Sequence, residues 1–203
     1  MFDADLLAAL AIGYLLGSIP FGLIITRLGG KGDVRDIGSG NIGATNVLRT
    51  GSKGLAAATL ILDLLKGAAA VWIAQNYFHR ASGADQYAAA GALIGHLYPL
   101  WLKFRGGKGV ATLLGILAVL MPTAALIYAL VWIGLLLIVR ISSVAGIAAA
   151  VSAPVSAAML GASALFPMLL GFALLVVWKH RANLARLKAG TEPRLGRGQP
   201  RGR

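Results

Sequence analysis

Cysteine is absent from the 203-residue chain. Disulfides, thiolate metal sites and a cysteine nucleophile are therefore excluded. Charge is scarce too. Only 13% of the residues are Asp, Glu, Lys or Arg, about half of what a soluble domain uses to cover its surface. The acids number seven, and none falls in a His-Glu-x-x-His pattern or another metal-ligand cluster. No serine sits in a Gly-x-Ser-x-Gly elbow. No histidine is followed five residues later by aspartate, so a general-base dyad of that spacing is missing.

What remains is apolar or basic. Hydrophobic residues make up 58% and the mean hydropathy is +0.77, so lipid is expected to solvate most of the surface. A span needs about 20 apolar residues, and the length accommodates six or seven. The segment from Met1 to Leu10 carries Asp3 and Asp5 but no Lys or Arg. It lacks the positive region of a cleaved leader and is expected to open the first span.

Apolar runs place spans at about Asp5 to Leu28, Leu55 to Asn76 and Gln86 to Leu102. A longer run from Val110 to Val139 would make one helix of about 45 Å, too long for a ~30 Å hydrocarbon core. Pro122 divides it into two short helices, the fourth and fifth. Two further spans cover about Ile141 to Leu160 and Ser163 to Trp178. Seven spans also satisfy the positive-inside rule. With the N-terminus outside and the C-terminus cytoplasmic, all of the 19 basic residues except Lys66 and Arg80 fall on the inner side or in the tail. The expectation is an all-α membrane protein, a single seven-helix domain over 1–190. A basic tail over 191–203, rich in Arg, Gly and Pro, is expected to be disordered.

The net charge of +12 suggests anionic partners. The basic residues sit between apolar runs rather than on a stripe, so nucleic acid is not expected. Two inner-side loops hold the chemistry. The first runs from Gly29 to Arg49, where Gly38 and Gly40 allow backbone amides to converge on an anion. Ser39, Asn41, Thr45 and Asn46 add neutral polar groups, and Arg49 adds a fork suited to phosphate. A flexible hydrophilic connector is the plainer alternative. The second loop, Arg105-Gly106-Gly107-Lys108-Gly109, leads straight into a helix and again gathers amides and a cation. It is not a Walker A loop, because Gly109 stands where Ser or Thr must follow the Lys. Two phosphate-bearing groups meeting at the cytoplasmic face is the physical inference.

Asp63 and Lys66 lie one turn apart inside the second span, where ionisable groups are costly and are either paired or functional. His96 closes the third span. A structural hydrogen bond explains it as well as chemistry does. His180 and Asn183, three residues apart after the last span, can face one site.

These residues carry a resemblance. The run Gly17-Ser18-Ile19-Pro20-Phe21-Gly22, the block from Gly38 to Arg49 and the loop from Arg105 to Thr112 are similar to those of the bacterial acyl-phosphate:glycerol-3-phosphate acyltransferase family. Asp63 with Lys66-Gly67, His96 with Pro99, and His180-x-x-Asn183-x-x-Arg186 fit as well. The resemblance implies seven spans in the bacterial cytoplasmic (inner) membrane, with the active site facing the cytoplasm. It implies transfer of an acyl group from acyl phosphate to the 1-hydroxyl of glycerol 3-phosphate, giving lysophosphatidic acid and phosphate. Ser39, Arg49, Lys108, His180 and Asn183 would be catalytic. Gly38, Gly40, Asn41, Thr45, Asn46, Gly106, Gly107 and Gly109 would bind phosphates, with Asp63, Lys66 and His96 in support. No cofactor or metal is expected, the partners are the two substrates and membrane lipid, and the chain is expected to act as a monomer. An organic-phosphate transporter is the competing reading, weakened by charges gathered at one face and by the lack of an internal repeat.

Overall fold

The computed structural model describes residues 3–78 and 81–196; Arg80 and residues 197–203 of the expected tail lie outside them. Among the described residues the chain is all-helical. It divides into two compact units, Met1–Ala125 and Leu126–Arg203.

The first unit opens with α1 (Ala4–Gly17), capped by the Asp3 side chain, which accepts from the Asp5 amide. Pro20 then breaks the helix as its missing N–H requires, and α2 (Phe21–Leu28) continues the same apolar run. After the long loop comes a short α3 (Ala44–Leu48) and then α4 (Lys53–Tyr77), whose Ser52 hydroxyl accepts from the Leu55 amide. Next are α5 (Ala84–Leu97) and α6 (Val110–Leu120).

Small residues let these helices approach to backbone contact, the usual means of packing where lipid removes the hydrophobic drive. The α1 and α5 helices run side by side in parallel. A Cβ on Gly13 or Gly17 would collide with the Ala88 or Ala92 carbonyl, and one on Gly91 or Gly95 with that of Leu10 or Tyr14. The same device joins α4 to α6, where Gly67 meets the Thr112 carbonyl and Gly115 that of Leu64.

The break expected at Pro122 is present: α6 ends at Leu120 and α7 (Pro122–Val139) begins at the proline. Of the two helices expected to be short, α6 has 11 residues, about 17 Å at 1.5 Å per residue. The α7 helix, with 18, is long and apolar enough to cross. Among the described residues four stretches meet that criterion: Ala4–Leu28, Lys53–Tyr77, Pro122–Val139 and Ser142–Met159. The α6 and α9 helices are apolar but shorter.

The second unit holds α8 (Ser142–Met159), α9 (Phe166–Lys179) and α10 (Arg181–Lys188). The start of the expected tail is held in place here. The Leu195 amide donates to the Arg140 carbonyl at 2.7 Å, and Glu192 is clasped by three side chains described below.

Candidate active site

The first loop is organised around one buried side chain. Asn46 in α3 is 2% exposed. Its Nδ2 donates to the Val34 and Ile37 carbonyls at 2.8 and 2.9 Å. Its Oδ1 accepts from the Ser39 amide at 3.0 Å, from Ser39 Oγ at 3.3 Å and from Arg49 Nη1 at 3.1 Å. Ser39 and Arg49, ten residues apart in sequence, are thereby tied to one oxygen. Gly38 makes the turn possible. Its φ is +58°, and a Cβ there would press on Arg49 Cδ and Asn46 Oδ1. Gly40 is likewise left-handed, and its amide is used by the Ile37 carbonyl. Asn41 closes a small turn by accepting from the Gly43 amide at 2.9 Å. Thr45 lies half-buried in the first turn of α3. Beneath them Val34, Ile42 and Val47 pack with Leu23 and Ala56, so the loop has a core of its own and is not a floppy connector.

Asp33 braces the loop's entry, accepting from Arg27 Nη2 at 2.8 Å and from Arg35 Nη2 at 2.6 Å. The Arg35 hydrogen bond, above all, holds the Asp33 carboxyl well below the usual carboxylate range.

The second loop is folded back onto the end of α5. Lys103 and Phe104 both take left-handed backbone angles, φ +52° and +62°, which cost about 1 kcal/mol or more each for non-glycine residues. The reversal brings the Gly106 and Gly107 amides to the Leu97 and His96 carbonyls, at 3.2 and 3.0 Å. Those amides cap the helix. The two glycines are needed for this close approach. A Cβ on Gly107 would strike the His96 ring. Lys108 follows, half-buried, and Gly109 at φ +88° starts α6. Leu102, just ahead of this loop, packs on the core of the first loop.

Asp63, Lys66 and His96 form a buried cluster, each under 5% exposed. Lys66 Nζ lies 2.7 Å from Asp63 Oδ1 and donates to the Ile19 carbonyl at 2.7 Å. His96 Nδ1 is 3.8 Å from the same Asp63 oxygen.

In the second unit His180 and Asn183 are both buried at the junction of α9 and α10. His180 Nδ1 lies 2.7 Å from the Val176 carbonyl. Asn183 Nδ2, Ser143 Oγ and Arg186 Nε all donate to the Glu192 carboxylate. Burial opposes ionisation of Glu192, but these donors outweigh it and keep its carboxyl below the usual range. Glu192 lies within the stretch expected from sequence to be a disordered tail. The available signal was that it is the one acid after Asp85. Among the described residues no His, Asp and Glu cluster could hold a metal ion.

A family model described as glycerol-3-phosphate acyltransferase matches residues 7–190. A protein of that name from Erythrobacter litoralis is 54% identical over 195 residues, covering 96% of this chain and 98% of the relative. One from Mesorhizobium japonicum is 55% identical over 191 residues, covering 94% and 96%. The crystal structure of PlsY (YgiH), an integral membrane glycerol 3-phosphate acyltransferase, in its glycerol 3-phosphate form, superposes with a TM-score of 0.89. It is 39% identical, with 95% of this chain and 96% of that one covered. Its lysophosphatidic acid form gives 0.86 at 38% identity, with the same coverage. With its apolar helices and these matches along nearly its whole length, the chain belongs to the glycerol-3-phosphate acyltransferase family of integral membrane proteins.

Proposed function

We propose that the protein transfers a fatty acyl group from acyl phosphate to the 1-hydroxyl of glycerol 3-phosphate, releasing lysophosphatidic acid and inorganic phosphate. The observation that carries this is the pairing of Ser39 and Arg49 on Asn46 Oδ1, at the head of a Gly-rich loop. It sets a hydroxyl beside a guanidinium whose fork suits a phosphate dianion. The substrate is that of the related structure, which is named for its glycerol 3-phosphate form.

The bond changes are few. The C1 oxygen of glycerol 3-phosphate attacks the acyl carbon, the bond from that carbon to the bridging phosphate oxygen breaks, and phosphate departs. A mixed anhydride is already a strong acyl donor. No strong protein base is required, and the hydroxyl proton passes to a phosphate oxygen. The chain's share is positioning and charge neutralisation. Arg49 and Lys108 offset phosphate charge, and Ser39 orients an oxygen without becoming acylated. In the second unit His180 and Asn183 are the polar groups assigned to the reaction.

The proposed topology has seven spans, with the N-terminus outside and the loops of Ser39 and Lys108 facing the cytoplasm of a bacterial inner membrane. Distribution of the basic residues supports it. The chain acts as a monomer in this reading.

The test is product formation. Purified protein in unsealed bilayers, given palmitoyl phosphate and glycerol 3-phosphate, should yield 1-acyl lysophosphatidic acid and phosphate one for one. Flux of organic phosphate across sealed vesicles without that product would instead favour a transporter.

A further inference from the structure

The buried Asp63–Lys66–His96 cluster does more than the transfer reaction just proposed asks of it, and its contacts lead to both polar loops. Lys66 donates to the Ile19 carbonyl at 2.7 Å. In an unbroken helix that carbonyl would accept from the amide four residues on. Here Pro20 interrupts the ladder: the Leu23 amide turns to the Pro20 carbonyl, and the Ile19 oxygen takes the Phe21 amide at 3.1 Å in its place. The ammonium of α4 is a second, shorter partner of the Ile19 oxygen, and it also sits 5.7 Å from the Phe21 ring centre. Lys66 thus fastens the point from which α2 leads into the loop of Ser39 and Arg49.

At its other side the cluster reaches the loop of Lys108. Asp63 Oδ1 is shared between Lys66 at 2.7 Å and His96 at 3.8 Å. The His96 carbonyl accepts from the Gly107 amide, and its ring lies so close to Gly107 that a Cβ there could not fit. Gly107 precedes Lys108 directly. One chain of contacts, from Ile19 through Lys66, Asp63 and His96 to Gly107, therefore joins the root of one polar loop to the backbone of the other.

Stability alone does not call for such a cluster. Buried ion pairs are costly to desolvate, and apolar residues of similar volume often hold a core as well or better. Charged groups inside a span mark function more often than packing. We propose that Asp63, Lys66 and His96 are positioning residues that set the separation of the two polar loops, so that the two substrates meet in register. The inference rests on the transfer reaction proposed above.

The absence of cysteine makes the separation measurable, since spin labels attach only where cysteine is introduced. Lys31→Cys with Arg105→Cys places labels on exposed positions of the two loops, and Asp5→Cys with Ser82→Cys gives a control pair at the other end of the unit. Distances by double electron–electron resonance and transfer kinetics are then compared in the labelled parent, in Lys66→Met and in His96→Gln. The expected result is a shifted or broadened loop-to-loop distribution in both variants and an unchanged control pair. The transfer kcat/KM should fall, by up to about 100-fold for a displacement near 1 Å. An unchanged loop distance in the folded variants overturns the proposal whatever the rate. So does a control pair that moves as far as the loops, because the cluster would then brace the whole bundle. A labelled parent with no glycerol 3-phosphate-dependent transfer counts against the proposed reaction, while its distances still decide the spacing claim.

Discussion

Removing the Asn46 side chain should separate the architecture of the first loop from that of the bundle. Asn46→Ala deletes donors to the Val34 and Ile37 carbonyls and the shared acceptor of Ser39 and Arg49. A net hydrogen bond contributes roughly 0.5–1.5 kcal/mol, and a buried group left without its partner costs about 1–3 kcal/mol. Val34 is fully buried, so its carbonyl loses a partner that water replaces poorly. The amide bonds at 2.8 to 3.0 Å are the strong ones, and the longer contacts to Ser39 Oγ and Arg49 add less. A loss of about 2–3 kcal/mol in the ordering of Ser39 and Arg49 is expected, which is roughly 30- to 150-fold in kcat/KM. The helix packing of α1 with α5 and of α4 with α6 does not involve Asn46, so the thermal midpoint in detergent should move far less than the rate. Asn46→Asp keeps an acceptor for Ser39 and Arg49 but sets a buried carboxylate oxygen against the Val34 and Ile37 carbonyls, and should fall at least as far as Asn46→Ala. Steady-state kinetics for both substrates, taken with thermal unfolding, make the comparison. A kcat/KM for Asn46→Ala within threefold of the parent would refute the view that Asn46 organises the site.

Other outcomes follow from the same contacts. Gly17→Ala drives a methyl into the Ala92 carbonyl and should destabilise the bundle by about 1–3 kcal/mol, read as a lowered thermal midpoint, whereas Gly134→Ala, with open space around it, should be nearly neutral. Arg49→Lys keeps the charge but loses the fork, and should raise the KM of a phosphate substrate by about tenfold or more at similar thermal stability. Glu192 has a folded pKa below its unfolded value near 4.5, so its contribution is fully present above that value and is lost as pH falls through it toward the lower folded pKa. Asp33, lowered for a similar reason, acts with the same sign. Thermal midpoints should therefore decline as pH falls below about 4.5, and Glu192→Gln should flatten part of that decline.

The large divisions of the chain were legible because proline and charge mark them. Pro122 breaks a run too long for one span and so could be read, whereas the break at Pro20 falls inside a run of ordinary span length and was not. The composition of the block from Gly38 to Arg49 leads to the expectation of an anion site, and its Ser39 and Arg49 share one oxygen of Asn46. What composition does not tell is the direction a polar group faces. Asn46 looks like a pocket residue in sequence, yet its donors point inward to carbonyls from 34 and 37, positions set only when the loop closes. The amides of Gly106 and Gly107 suggested a phosphate cradle. They are taken by α5 carbonyls because Lys103 and Phe104 adopt left-handed angles that no residue preference announces. Glu192 was hidden for a related reason. Its three donors come from α8 and α10, and its neighbours Gly190 and Pro193 read as the start of an unstructured tail.

The most direct test of the account is phosphate release from palmitoyl phosphate by purified protein in lipid, with and without glycerol 3-phosphate, for the parent, Ser39→Ala and Lys108→Ala. Release should depend on glycerol 3-phosphate in the parent and be lost in both variants while they remain folded. Release that ignores glycerol 3-phosphate, or that survives in both folded variants, would contradict it.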